Sequence, residues 1–196
     1  MFSGVPFVLG GVKMIFEEKQ ITLKNGLQAT LETPKISDAA QLIDLMATVS
    51  DETPFLTRYK EEWEGVSVEG EENWIKSVRE SQNSFVLICR VNGEIAGVCD
   101  VTFRTGMKTC HRATVGIGLR KKYWNIGIGS AMFKELINTA TAHGGTDFME
   151  LEFTKGNERA KALYEKFGFK IVCEKPNFYK LKDGTYQALV YMQKYL

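Results

Sequence analysis

The chain has almost no charge to spare. Lysines and arginines number 25 against 24 aspartates and glutamates, a formal net charge of +1 at pH 7. Without a basic excess the usual electrostatic basis for nonspecific nucleic-acid binding is gone, although a local basic patch stays open. Long hydrophobic runs are missing too. None approaches the roughly 20 residues that span a bilayer, so no membrane partner is expected. Cysteines number four, at positions 89, 99, 110 and 173, with no CxxC, and neither of the two histidines stands at a ligand spacing from them. That argues against a metal site and against a disulfide framework. It favours reduced thiols buried as small hydrophobes, in a reducing cytoplasm. Two nucleotide signatures are absent as well. Gly127-Ile128-Gly129-Ser130-Ala131-Met132 ends in methionine where a dinucleotide fingerprint needs a third glycine, and no GxxxxGK run followed by Ser or Thr occurs. Dinucleotide and ATP cofactors are therefore disfavoured.

What is present is one domain's worth of ordinary globular sequence, 196 residues with 44% hydrophobic and 25% charged content. Residues 1–20 are expected to form a loose extension. The apolar, glycine-rich start has no charge before Lys13 and lacks the basic flank of a secretory signal, so residues 1–13 read as an extension or a start-site artefact. Residues 21–196 are expected to hold the domain. Ile21 to Glu32 alternates around the turn dipeptide Asn25-Gly26. Asp38 opens a helix whose apolar positions Leu42, Leu45, Met46 and Val49 follow helical spacing, with Gln41 as a capping-box partner. Residues 51–66 read as polar and irregular, and a second helix is expected over about 69–81.

Strands are expected at Phe85–Val91 and Glu94–Phe103 around Asn92-Gly93, and at Arg112–Leu119. Gly116 and Gly118 interrupt the last of these, a mark of a bulge or of close approach by a neighbour or ligand. A helix over 127–142, a strand over 148–154, a helix over 157–167 and two strands joined at Asp183-Gly184 complete the order. The direct reading is one α+β domain with a central mixed sheet.

Two segments carry the chemistry. Tyr123-Trp124-Asn125-Ile126-Gly127-Ile128-Gly129-Ser130 follows a strand and opens a helix. Glycines let the backbone curl so that successive N–H groups converge on one anion, and the helix start adds unpaired donors and a positive dipole end. Lys121 and Lys122 stand just upstream. The alternative is an ordinary strand-to-helix turn that needs glycine for steric reasons. In the second segment, Asn157 to Phe169, residues Ala160, Leu163, Tyr164 and Phe167 share one helical face. Asn157 suits the N-cap and Gly168 the C-terminal stop. On spacing alone Tyr164 reads as a core aromatic.

Together and in this order the two segments resemble those of the GNAT superfamily of N-acetyltransferases. The first is similar to that family's pyrophosphate loop, Q/R-x-x-G-x-G/A, and the second to its "N..A..LY...GF" helix. The resemblance covers about residues 84–195, and more weakly the two N-terminal helices. It implies a mostly antiparallel twisted sheet, flanked by helices, with one parallel strand pair splayed apart to admit acetyl-CoA, here the strands at 112–119 and 147–154. It places Ile117 and Leu119 on the pantetheine arm through their backbone. It places the amides of Asn125, Ile126, Gly127, Ile128, Gly129 and Ser130 on the pyrophosphate, Asn157 near the pantetheine, and Tyr164 as the acid that protonates the departing thiolate. The chain departs from the pattern where the family's Gln or Arg falls on Trp124 and its following glycine on Asn125.

The chemistry so implied is transfer of an acetyl group to a primary amine of a small molecule or peptide, by direct attack in a ternary complex and without a metal. An amine attacks only when neutral, and free ammonium groups have a pKa near 10, so a base or a chain of waters is needed. Glu150 and Glu152 project to the same side of their strand, and Asp100 and His111 are further candidates. Each reads equally as a structural or solvated group, and Glu152 is carried forward as the base. His143 reads as surface. The acceptor is expected between the segments 53–63 and 177–186. There Asp51, Glu52, Glu61, Glu62 and Glu64 lie beside Phe55, Tyr59 and Trp63, either to attract a cationic amine or as a solvated acidic loop. Members of the family also pair into dimers, a point the chain leaves open. The competing reading is an acyl-CoA binder or sensor of the same fold without catalysis.

Overall fold

The computed structural model describes residues 14–196. The expected extension over 1–13 lies outside the described residues. Within 14–20, Met14 and Phe16 pack against the main core and the Phe16 N–H donates to the Thr33 hydroxyl. The folded part thus begins before residue 21. The first strands, β1 (Lys19–Thr22) and β2 (Gln28–Glu32), form the hairpin that the Asn25-Gly26 turn predicts. Helices α1 (Ala39–Glu52), α2 (Lys60–Glu64) and α3 (Val68–Glu80) come next. After them run β3 (Ser84–Val91), β4 (Glu94–Phe103), β5 (Arg112–Leu119), α4 (Ile128–His143), β6 (Phe148–Thr154), α5 (Glu158–Lys166), β7 (Lys170–Lys180) and β8 (Tyr186–Tyr195). The short α2 falls in the stretch read as irregular. Its first turn is held by Glu62, whose carboxylate accepts from the Tyr59 N–H.

The strands make one eight-stranded sheet in the order β1-β2-β3-β4-β5-β6-β8-β7, antiparallel everywhere except between β5 and β6. Alternation decides which side chains go where. Leu87, Cys99, Val101, Met149 and Leu151 join Met132, Phe133 and Leu136 of α4 in the larger core on one face. Ile88, Ile95 and Val98 join Leu42, Leu45 and Val49 of α1 and Ile75 of α3 on the other. Buried on both faces, β3 and β4 read as nearly continuous apolar runs.

Two polar clusters fix the parts that matter for the site. Arg120, at the end of β5, is buried and donates to the Ile95 carbonyl, the Thr48 hydroxyl and the Asp44 carboxylate. The Lys121 N–H donates to Glu52. Together they moor the C-terminal half of α1 against the end of β5. At the other end of β5, Glu150 accepts from Arg112, Thr114 and the Tyr191 hydroxyl. Burial alone would raise the Glu150 pKa, but the bonds from Tyr191 and Arg112 outweigh it and hold the carboxyl below its usual range.

Asp100 on β4 has a different fate. It lies against Gly116 of β5, where a Cβ would come within 2.8 Å of its Oδ1, so this glycine is there for close approach. Burial pushes the Asp100 carboxyl up to about 6 from 3.8. A raised acid in the folded state disfavours ionisation, so stability is highest below the unfolded pKa and falls as pH rises through the folded one. Asp100→Asn removes that charge, and its advantage over wild type should grow from pH 4 to pH 7.5, to at most about 3 kcal/mol. Thermal melts of both proteins at the two pH values check this. A variant no more stable at the higher pH overturns it.

Candidate active site

The one parallel pair does not stay paired. The β5–β6 ladder consists of Arg112↔Phe148, Ala113↔Met149 and Thr114↔Glu150 and then stops, while β5 runs on to Leu119 and β6 to Thr154. The Glu150 cluster rivets the closed end of this V. From its open end a cavity of about 510 Å³ spreads toward the start of α4. Its walls include Ile117, Gly118 and Leu119 of β5, Asn157 and Tyr164 of the α5 segment, and Asn125, Gly127, Ile128, Gly129 and Ser130 of the glycine turn.

The turn has the geometry of an anion cradle. Gly127 has φ +102° and Asn125 φ +65°, both left-handed. Asparagine tolerates that region better than most residues, so it can stand where the pattern has glycine. Among the described residues, no backbone group accepts from the N–H groups of Asn125 to Ser130, which precede the first helical bond from Ala131 to the Gly127 carbonyl. Orphan donors at a helix start suit a phosphate. Three cations stand beside them: the Lys24 side chain lies along Gly127, Lys166 Nζ donates to the Ser130 hydroxyl at 2.9 Å, and Arg159 donates to Asn125 Oδ1 at 2.7 Å. Lys122, an expected helper, is turned to Glu94 instead. Trp124 stands in the cavity wall beside the turn. Its indole N–H donates to the Leu119 carbonyl at 2.9 Å, and the Arg159 guanidinium lies 3.9 Å over its ring, so Trp124 buttresses the loop.

Ile126 is the one expected cofactor contact whose side chain lines no part of the cavity. It packs against the core, and its carbonyl accepts from the Lys24 N–H. The α5 segment follows its sequence signals: Asn157 Oδ1 caps the Ala160 N–H at 3.2 Å, and Gly168 closes the helix with φ +86°. Tyr164 is both core and cavity wall. Its ring packs in a cluster with Phe133, Phe153 and Phe169, while no group among the described residues hydrogen-bonds its hydroxyl. Burial pushes its pKa above the ordinary phenol value.

The base candidates scatter. Glu152 lies outside this cavity, with its carboxylate 3.2 Å from Lys175 Nζ, and it raises the pKa of the adjacent Tyr179, whose own burial is the larger cause. Glu150 is spent on its rivet, Asp100 lines neither this cavity nor the one beside it, and His111 packs edge-on against Phe148 at 5.4 Å, while His143 stacks on Phe103 at 3.7 Å.

A second cavity of about 610 Å³ lies between the α1–α2 loop and the β7–β8 hairpin, with Tyr59, Phe178 and Tyr179 in its wall. The loop is tied across the V, since the Phe55 carbonyl accepts from the Thr154 hydroxyl at 3.1 Å. Most of the acidic groups expected to draw an amine are already engaged: Asp51 with Lys60, Glu52 with the Lys121 N–H, Glu61 with Lys182 and Glu62 with the Tyr59 N–H. Sequence reasoning missed Lys24, Arg159 and Lys166, whereas the second cavity opens between the segments 53–63 and 177–186 that it singled out. Only the fold brings Lys24 beside a turn some hundred residues away, and no local pattern signals it.

Among the described residues no cluster of three or more His, Cys, Asp or Glu could hold a metal ion, and no helix is long and apolar enough to cross a membrane. Residues 45–169 match the family model described as "Acetyltransferase (GNAT) family". The L-amino acid N-acetyltransferase AaaT of Escherichia coli is 27% identical over 108 residues, 55% of this chain and 66% of that protein. The matched segments span 35% to 66% of the length of the curated relatives. A GNAT-family acetyltransferase from Streptococcus pneumoniae superposes with a TM-score of 0.80 at 27% identity, covering 86% of this chain and 99% of that one. An acetyltransferase from Salmonella typhimurium, solved with its cofactor acetyl-CoA, shares the fold at a TM-score of 0.72 and 19% identity, over 86% of this chain and 94% of that one.

Proposed function

Because this chain belongs to the GNAT acetyltransferase family, we propose that it is an acetyl-CoA-dependent N-acetyltransferase acting on a primary amine of a small molecule or peptide. The observation that carries the reading is the interrupted β5–β6 ladder, which opens into a cavity with a cradle of orphan amides and three cations at one end. Acetyl-CoA fits that shape: its pyrophosphate takes the amides of Asn125 to Ser130 with Lys24, Arg159 and Lys166 beside them. Its pantetheine arm lies along Ile117 and Leu119, beside Asn157. The acceptor occupies the second cavity.

The chemistry then needs two proton movements. The amine nitrogen attacks the thioester carbon and the C–S bond breaks. Tyr164 hands its hydroxyl proton to the departing sulfur, and its high pKa keeps that proton available at neutral pH. Glu152 takes the proton lost by the amine, relayed by Tyr179, a residue of the acceptor cavity wall. All four cysteines are free thiols, which supports a cytoplasmic setting.

The test is calorimetric titration of acetyl-CoA into the purified protein, with NAD and ATP as controls, followed by assay of CoA release with a panel of amines. Saturable binding of acetyl-CoA alone, with amine-dependent CoA release, is the expected result. Binding without release for any amine makes the protein an acyl-CoA binder or sensor. Absence of binding by folded protein overturns the reading.

A further inference from the structure

The two cavities have two lining residues in common, Thr53 and Leu56. Direct transfer requires the amine nitrogen within about 3–3.5 Å of the thioester carbon. The acyl group must therefore lie where one cavity meets the other, and Thr53 and Leu56 border that place. Neither is free to move away. Thr53 ends α1 in extended geometry and spends its hydroxyl on the Val49 carbonyl at 3.3 Å. Leu56 packs against the core between α1 and the sheet. The segment is anchored on one side by Glu52 at the Lys121 N–H and on the other by the Phe55 carbonyl at Thr154.

The chemistry of this end differs from that of the cradle. Lys24, Arg159 and Lys166 all gather at the glycine turn, whereas the donor cavity near Thr53 continues as Val49 and Phe55.

We propose that Leu56 is the acyl-length gauge of this enzyme, its side chain standing at the junction of the two cavities where an acyl group longer than two carbons runs against it. The inference rests on the transferase reading of the site. It makes the selection of acetyl over longer acyl groups a property of the α1–α2 loop, not of the cradle.

The test uses binding alone, so no acceptor is needed. CoA, acetyl-CoA, propionyl-CoA and butyryl-CoA are titrated into wild type, Leu56→Val and Leu56→Ala, with a thermal melt of each. A single methylene in a tight apolar pocket is worth about 10- to 200-fold, so wild type should bind butyryl-CoA at least about 10-fold more weakly than acetyl-CoA. In Leu56→Ala that penalty should shrink at least about fivefold, while affinity for CoA itself stays within about twofold. Leu56→Val should fall between, and it carries the comparison if the alanine variant does not fold. Two results overturn the proposal: wild type that takes butyryl-CoA as tightly as acetyl-CoA, or a penalty that persists undiminished in a variant binding CoA normally. Folded wild type that binds none of the four overturns the transferase reading beneath it.

Discussion

Replacing Gly129 with glutamate should abolish acetyl-CoA binding and leave the domain folded. Gly129 sits in the first turn of α4, inside the cradle. A Cβ added there meets Leu119 Cδ1 at 3.2 Å and Leu163 Cδ2 at 3.3 Å, both ends of flexible side chains that can give by a few tenths of an ångström. The larger effect is charge. A carboxylate about 4 Å from a phosphate repels it by roughly 4 kcal/mol at an effective dielectric of 20, which is about a thousandfold in affinity. Gly129→Ala separates the two contributions, because it adds the Cβ without the charge and should weaken binding by only about 10-fold or less. Calorimetry on both variants, beside their melting temperatures, checks the assignment. Unchanged affinity in the glutamate variant removes the anion site from this turn.

Tyr164→Phe should act on the other half of the reaction. The change deletes one oxygen and leaves the ring in its cluster with Phe133, Phe153 and Phe169. Since no protein group among the described residues bonds the hydroxyl, stability and acetyl-CoA affinity should hardly move. Loss of a positioned acid costs about 10²- to 10⁴-fold in rate, so kcat should fall by at least about 100-fold with KM for acetyl-CoA within about twofold. The raised pKa adds a second signature. The wild-type phenol stays protonated through the neutral and mildly basic range, so its titration should not lower kcat there. A Phe variant with full turnover assigns the proton to water.

Much of this was legible in the sequence because the signals are local. The glycine turn, the Asn157 cap, the Gly168 stop and the shared face of Ala160, Leu163 and Tyr164 lie within a few residues of one another, and the structure keeps them as written. Gly116 likewise advertised a close approach, and Asp100 is what approaches. What stayed hidden is long-range. Lys24 reaches the cradle through the β1–β2 hairpin, and Leu56 reaches the cavity junction because Glu52 at the Lys121 N–H and the Phe55 carbonyl at Thr154 hold the segment from both sides. The acidic residues near Tyr59 suggested a trap for amines by composition, yet most are bound to neighbouring lysines or amides, a use that composition does not reveal. Trp124 and Asn125 broke the expected pattern, and the fold absorbs both by stacking Arg159 on one and bonding it to the other.

The three rungs that join β5 to β6 have one more consequence. The sheet is in effect two antiparallel sheets, β1 to β5 and β6 to β8, stitched at one corner and left open along the rest of the seam. On the proposed function, a pantetheine arm bonded along that seam stands where further rungs would be, so the substrate serves as a temporary strand of the protein that each departing CoA molecule unpicks and the next mends.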